Sequence, residues 1–184
     1  MELSRIALND MGTQGRMFSV SDERIWTAPL KEYQVSCRIA EPVRAEVLVL
    51  PQEDGCLVRG TLKGVVAMPC DRCMEETLVT LDLRFDEFER YPAAGNLDAG
   101  EDGIRADILE RSVIEMEGGA SFLNLEALLW EEFSLALPVK PLCRPDCRGL
   151  CPVCGKNLNE GPCGCSADEG DPRLAVLRQL KVKR

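Results

Sequence analysis

Ten cysteines and no histidine stand among 184 residues, and eight of the ten cysteines fall in two places. Cys70-Asp71-Arg72-Cys73 lies in mid-chain, and a later run holds Cys143, Cys147, Cys151, Cys154, Cys163 and Cys165. A metal in such a chain is held by sulfur, with at most a stray carboxylate, and histidine-based acid, base or nucleophile chemistry is excluded. Thiols separated by two residues and flanked by Gly and Pro have the spacing of metal knuckles, which brings folding energy to segments too short for an apolar core.

The length accommodates one core plus a small appended module. The expected division is an antiparallel-sheet core over 1–138 and a cysteine-rich tail over 139–184, closed by a helix packed on the core. No apolar run approaches the roughly 20 residues of a bilayer span, and Met1 to Asp10 lacks the pattern of an export signal. A soluble protein of the cytoplasm with no membrane partner is expected. In that reducing compartment cysteines at these spacings bind metal rather than form disulfides.

The net charge is −9 and the pI about 4.7, so the whole molecule repels a phosphate backbone. The distribution is uneven. Residues 138–184 carry nine Lys or Arg against five Asp or Glu, whereas residues 1–137 carry 13 against 26. Each tetrathiolate site would subtract about two charges from the tail and leave a local basic patch.

Apolar residues at 43, 45, 47 and 49 alternate with polar ones, the period of a half-buried strand. A second strand runs from Cys56 to Ala67, with Val58, Leu62 and Val66 on one face, joined there by Gly60 and Gly64. A third runs from Leu78 to Phe85, so Cys70 and Cys73 occupy a hairpin turn. The Gly-, Ala- and acid-rich stretch from Pro92 to Asp107 reads as a loop, and Ile108 to Met116 as a further strand. Asn124 caps a helix that stops near Pro138, Ser21 caps a short helical turn, and Asp171-Pro172 opens the final helix. The expected fold class is α+β: an antiparallel sheet or small barrel, a few helices and a zinc-ribbon-like cysteine-rich segment.

Spacing supports two groupings of the sulfurs. In the first, Cys151, Cys154, Cys163 and Cys165 form one site, while Cys143 and Cys147 join Cys70 and Cys73 in a second. In the alternative, one site is drawn from the six tail cysteines and the mid-chain pair stands apart. Zinc, as one or two ions, is the default occupant; iron is compatible with four thiolates, although the spacing differs from the bacterial iron–sulfur run. Thiol redox exchange is the rival reading of the Cys-x-x-Cys pairs, but a strand rather than a helix follows Cys73. Cys37 and Cys56 stand alone and read as buried structural residues. Carboxylates at Glu75-Glu76, Asp86 to Glu89, Asp98 to Asp102 and Glu131-Glu132 read as solvated surface, and neither a phosphate loop nor a serine-nucleophile motif is present. The chain is expected not to be an enzyme.

The hairpin pair, Leu135-Ala136-Leu137-Pro138, the run Pro141-Leu142-Cys143-x-x-x-Cys147-x-Gly149-Leu150-Cys151-Pro152-x-Cys154-Gly155-x-Asn157-Leu158-Asn159, and Asp171-Pro172-Arg173-Leu174 together resemble the YceD family, the large ribosomal RNA subunit accumulation proteins. The resemblance spans about residues 43 to 180. It implies a nonenzymatic cytosolic bacterial factor needed for accumulation or processing of large-subunit ribosomal RNA. The partners it implies are ribosomal precursor RNA, a basic ribosomal protein, or both. Some members of the family keep the mid-chain pair and lack the cysteine-rich tail, which implies a structural role for the tail. A free-standing zinc-ribbon-like nucleic-acid regulator is the alternative reading.

Overall fold

The computed structural model describes residues 3–92 and 113–165. The expected loop beyond Pro92, the start of the strand expected from Ile108 and the helix expected from Asp171 lie outside the described residues.

Three long strands dominate: β3 (Arg38–Pro51), β4 (Gly55–Pro69) and β5 (Glu76–Arg90). Each pairs antiparallel with its sequence neighbour, and β2 (Arg16–Val20) adds to the free side of β3, giving the order β2-β3-β4-β5. The sheet is open, which decides between the sheet and the barrel.

Register follows from period-two alternation, because a one-residue slip would turn each apolar set toward water. Val47 faces Gly60, which faces Phe85; Ala45 faces Leu62, which faces Leu83. The inner face buries Val43, Ala45, Val47, Val49, Val58, Leu62 and Val66. Gly60 is a close approach: a Cβ there would stand 2.5 Å from Cζ of Phe85 and 2.8 Å from the Glu46 carbonyl oxygen.

Two helices cover this face, α1 (Arg24–Glu32) against β3 and α2 (Leu125–Ala136) against β5. Trp26 of α1 and Phe133 of α2, both fully buried, meet with ring centroids 5.3 Å apart. Asn124 caps α2 as its sequence predicts, its Oδ1 accepting from the Ala127 N–H at 3.0 Å. A smaller sheet, β1 (Ile6–Ala7), β7 (Ala120–Leu123) and β6 (Ile114–Glu117), adds Ile6, Ile114 and Leu123 to the same core. Among the described residues no helix is long and apolar enough to cross a membrane.

Two local expectations are corrected. Ser21 does not cap α1; the Asp22 carboxylate accepts the Arg24 backbone N–H at 3.0 Å, and side-chain hydrogen bonds from Arg24 hold that carboxyl down at about 2. Strand β5 continues past Phe85, carrying Glu87 and Glu89 opposite Val58 and Cys56 on the core-facing register. Burial, followed by the charges of Glu131 and Glu87, raises the Glu89 carboxyl, so apolar alternation stops although the strand does not.

Replacing Gly60 by Ala forces the added methyl against Phe85 and the neighbouring strand's backbone. Urea denaturation is expected to show a loss of about 1–3 kcal/mol, the usual cost of overpacking.

Candidate metal centres

The β4–β5 hairpin ends in the turn Cys70 to Cys73, and the chain leaving α2 returns to that turn. The Asp71 N–H donates to the Pro141 carbonyl at 2.8 Å, and the Leu150 N–H to the Arg72 carbonyl at 3.0 Å. These bonds clamp the turn between the two halves of the tail. Gly149 makes the second contact feasible: with φ at 74°, it brings backbone to a place where a Cβ would lie 2.9 Å from the Arg72 oxygen.

Within this clamp Cys70, Cys73, Cys143 and Cys147 bring their sulfurs within 4.8 Å of one another, and three of the four residues are buried. Cys151, Cys154, Cys163 and Cys165 form a second such group. The printed sulfur–sulfur separations are 3.8 Å for Cys70 and Cys147, 3.6 Å for Cys73 and Cys143, and 3.4 Å for Cys151 and Cys163. All ten cysteines are free thiols. A tetrahedral ion with metal–sulfur bonds of about 2.3 Å has sulfur–sulfur edges of about 3.8 Å, so the donor sets fit a tetrathiolate ion. Each group can hold a metal ion. The structure thus assembles the first of the two groupings that spacing allowed.

The two Cys-x-x-Cys turns share one backbone design. The Cys70 N–H donates to the Glu75 carbonyl and the Cys151 N–H to the Lys156 carbonyl, both at 2.8 Å. Met74 and Gly155, each just after the second cysteine, donate back to the first cysteine's carbonyl at 2.9 Å. Both occupy left-handed conformations, with φ at 63° and 73°. Glycine suits this position; Met74 bears the strain of a side chain there.

Charge is prepared at the sulfurs before any cation arrives. The Cys143 backbone N–H, then those of Arg72 and Cys73, bring the Cys70 thiol down to about 6. The N–H groups of Cys154 and Val153, joined by the Cys163 thiol, do the same for Cys151. The Asn159 amide lowers Cys147, its Nδ2 standing 3.3 Å from that sulfur. Burial and neighbouring sulfurs push Cys143 up to about 12; the Cys154 thiol, then burial, do so for Cys165. Four sulfurs crowded together cannot all ionise without a cation.

Sequence reasoning assigned no role to three supporting residues. Asn159 also accepts the Arg148 N–H at 2.8 Å, Arg72 donates to the Cys147 carbonyl at 2.8 Å, and Asn157 donates to Glu75 at 2.8 Å. The two Asn residues belong to the Asn157-Leu158-Asn159 end of the motif, which is where their signal lay. Cys37 and Cys56 join neither group; Cys56 is fully buried, and burial followed by the Glu89 charge pushes its thiol up to about 12.

The family model described as "Large ribosomal RNA subunit accumulation protein YceD" matches residues 58–181, which include every one of the eight sulfurs. The chain belongs to the YceD family. An uncharacterized protein of Mycobacterium tuberculosis is 29% identical over 127 residues, covering 69% of this chain and 56% of its own. One of Mycobacterium leprae is 24% identical over 139 residues, covering 76% and 59%. The large ribosomal RNA subunit accumulation protein YCED homolog 1, chloroplastic, of Arabidopsis thaliana is 24% identical over 156 residues, covering 76% and 49%. The chain therefore spans about half to three-fifths of the length of the curated relatives it matches. No solved structure matches it significantly.

The YceD-family sulfur groups make two measurable statements. In native mass spectrometry, C70S and C143S should each remove the same metal equivalent, and C154S and C165S the other; the pair C70S/C154S should lose both. Metal affinity should fall as pH falls, and more steeply below about 6. Above that pH Cys70 and Cys151 are already thiolates, whereas below it the metal must displace their protons too. Proton release per metal, followed by calorimetry in buffers of different ionisation heat, checks the sign.

Proposed function

We propose that this chain is a nonenzymatic factor supporting accumulation of large-subunit ribosomal RNA, acting in the cytoplasm where ribosomes are assembled. Its two sulfur groups are proposed to hold zinc, with Cys70, Cys73, Cys143 and Cys147 at one ion and Cys151, Cys154, Cys163 and Cys165 at the other. The observation that carries this reading is the donor set: four thiolates fill a tetrahedral ion's coordination sphere and leave no position for substrate. Bound zinc would supply four bonds to sulfur at each site and hold the tail in shape. The chain's own residues then present that tail, with Lys140, Arg144, Arg148 and Lys156 exposed along it.

Those side chains suit phosphate contacts with a ribosomal precursor, while the acidic remainder repels RNA and confines contact to the tail. The name of the Arabidopsis relative supports the ribosomal setting, and the family description supports the RNA as the object of the function.

Sedimentation of tagged protein from gently lysed cells tests the reading. Cofractionation with large-subunit precursors, accompanied by a deficit of large-subunit RNA on depletion, is expected. Confinement to the light fractions with normal RNA levels would overturn it. A free-standing regulator would instead retain other polynucleotides, with steep salt dependence.

A further inference from the structure

Helices α1 and α2 leave between them a groove of about 500 Å³. Its floor includes Pro29, Tyr33 and Trp130; the Tyr33 and Trp130 rings stack with centroids 5.9 Å apart and planes inclined by 19°. Tyr33 is 50% exposed, so one aromatic surface faces solvent. The rim is acidic: Glu32, Glu115, Glu126 and Glu131. Among the described residues none of these four carboxylates forms a salt bridge. Arg24 is the groove's single cation, and its guanidinium is engaged by Asp22, Nη2 standing 2.6 Å from Oδ2.

From this combination we infer that the α1–α2 groove binds a basic protein segment, with arginine or lysine side chains on the carboxylate rim and apolar side chains on the Tyr33–Trp130 floor. Charge complementarity selects this occupant. A nucleic acid would bring phosphates to four uncompensated carboxylates. A metal ion does not fit, because among the described residues only the two cysteine groups bring three or more ligand atoms within 4.8 Å. Carboxylates spread over both helices and strand β6 suit several cations spaced along a chain. A guanidinium also lies favourably on an indole or phenol face, adding a contact that a carboxylate rim alone lacks.

The negative field extends around α2. Burial, followed by the charges of Glu87, Glu131 and Glu89, raises the Glu132 carboxyl, and Glu131 also raises Glu89. A cationic segment beside Glu131 relieves this repulsion. The groove's affinity for basic segments stands apart from the metal centres; only the step from such a segment to a ribosomal protein rests on the proposed function.

The test uses full-length, metal-loaded protein and a fluorescein-labelled peptide repeating Arg-Leu-Gly, with a Glu-Leu-Gly repeat as counterpart. Anisotropy should report binding of the arginine peptide alone, weakened by added salt, and E126Q/E131Q should weaken it about tenfold. The charge-matched pair E53Q/E160Q, away from the groove, should leave affinity unchanged. If E126Q/E131Q lowers the melting temperature, E32Q/E115Q takes its place, since both of those side chains are exposed.

Equal affinity for both peptides, or equal weakening by groove and control variants, overturns the inference. So does a groove variant that weakens binding of single-stranded polyuridylate but not of the peptide, which would assign the groove to RNA. Absence from ribosomal precursors with peptide binding intact would sink the proposed function while leaving the groove's specificity standing.

Discussion

The meeting of the Cys70/Cys73 turn with Cys143 and Cys147 ties together parts of the chain about 70 residues apart, and the tail's position depends on it. From Pro138 to Cys165 the described tail contains neither a helix nor a strand, only an isolated bridge between Leu150 and Asn157. Its hydrophobic contribution is small: Leu142 and Cys143 pack against buried Cys70, Cys73 and Cys147. Burying one leucine side chain contributes about 1.5–3 kcal/mol. A tetrathiolate zinc site contributes about 10–16 kcal/mol of apparent binding energy at neutral pH. The second magnitude is the one able to offset the ordering of almost thirty irregular residues, at about 1–2 kcal/mol of backbone entropy each.

The two sulfur groups share a turn design but serve the fold differently. The first lies at the end of a long hairpin, where β4 and β5 carry backbone pairing out to Pro69 and Glu76. Its turn is therefore positioned before any metal is considered, and the tail comes to it. The second group is closed within fifteen residues, and Cys154 is exposed. The conformational difference at Met74 and Gly155 fits this contrast. A left-handed non-glycine residue costs about 1–2 kcal/mol, a strain that the hairpin's paired strands can hold in place. The local turn has no such scaffold and uses glycine.

Legibility in the sequence followed the strength of the local signal. β3, β4 and the first ten residues of β5 alternate cleanly, and α2 announces itself through Asn124 and its leucines. α1 was hidden because Pro29 sits inside it and because its N-terminus is held by Asp22 rather than by the serine before it. β1, β2 and β7 are too short for periodicity, and their pairing comes from distant partners such as Leu123 with Ile6. For the cysteines, spacing identified all eight but left two groupings open. Which pairs meet is decided by where a hairpin tip lies relative to the end of α2, a tertiary fact with no local trace. Glu87 and Glu89 were read as surface because alternation normally ends where charge begins; here the strand carries charge onto its core-facing register, beneath the acidic end of α2.

Charge separation is the remaining consequence of this layout. Tetrathiolate ions would cancel much of the tail's formal excess of cations, so attraction for phosphate cannot come from the tail's net charge. It has to come from geometry: Arg148 and Lys156 stand outside the sulfur groups, while the sulfurs turn inward toward backbone N–H donors. In the core the reverse holds, since the carboxylates of α2 and β5 crowd together strongly enough to raise one another. A molecule arranged this way discriminates by location, with phosphate favoured only beside the metal knuckles and cationic chains favoured along the helices. A particle in assembly presents both kinds of surface at once, and two separate contacts of modest strength then hold better than either alone, because the second forms within the complex already made by the first.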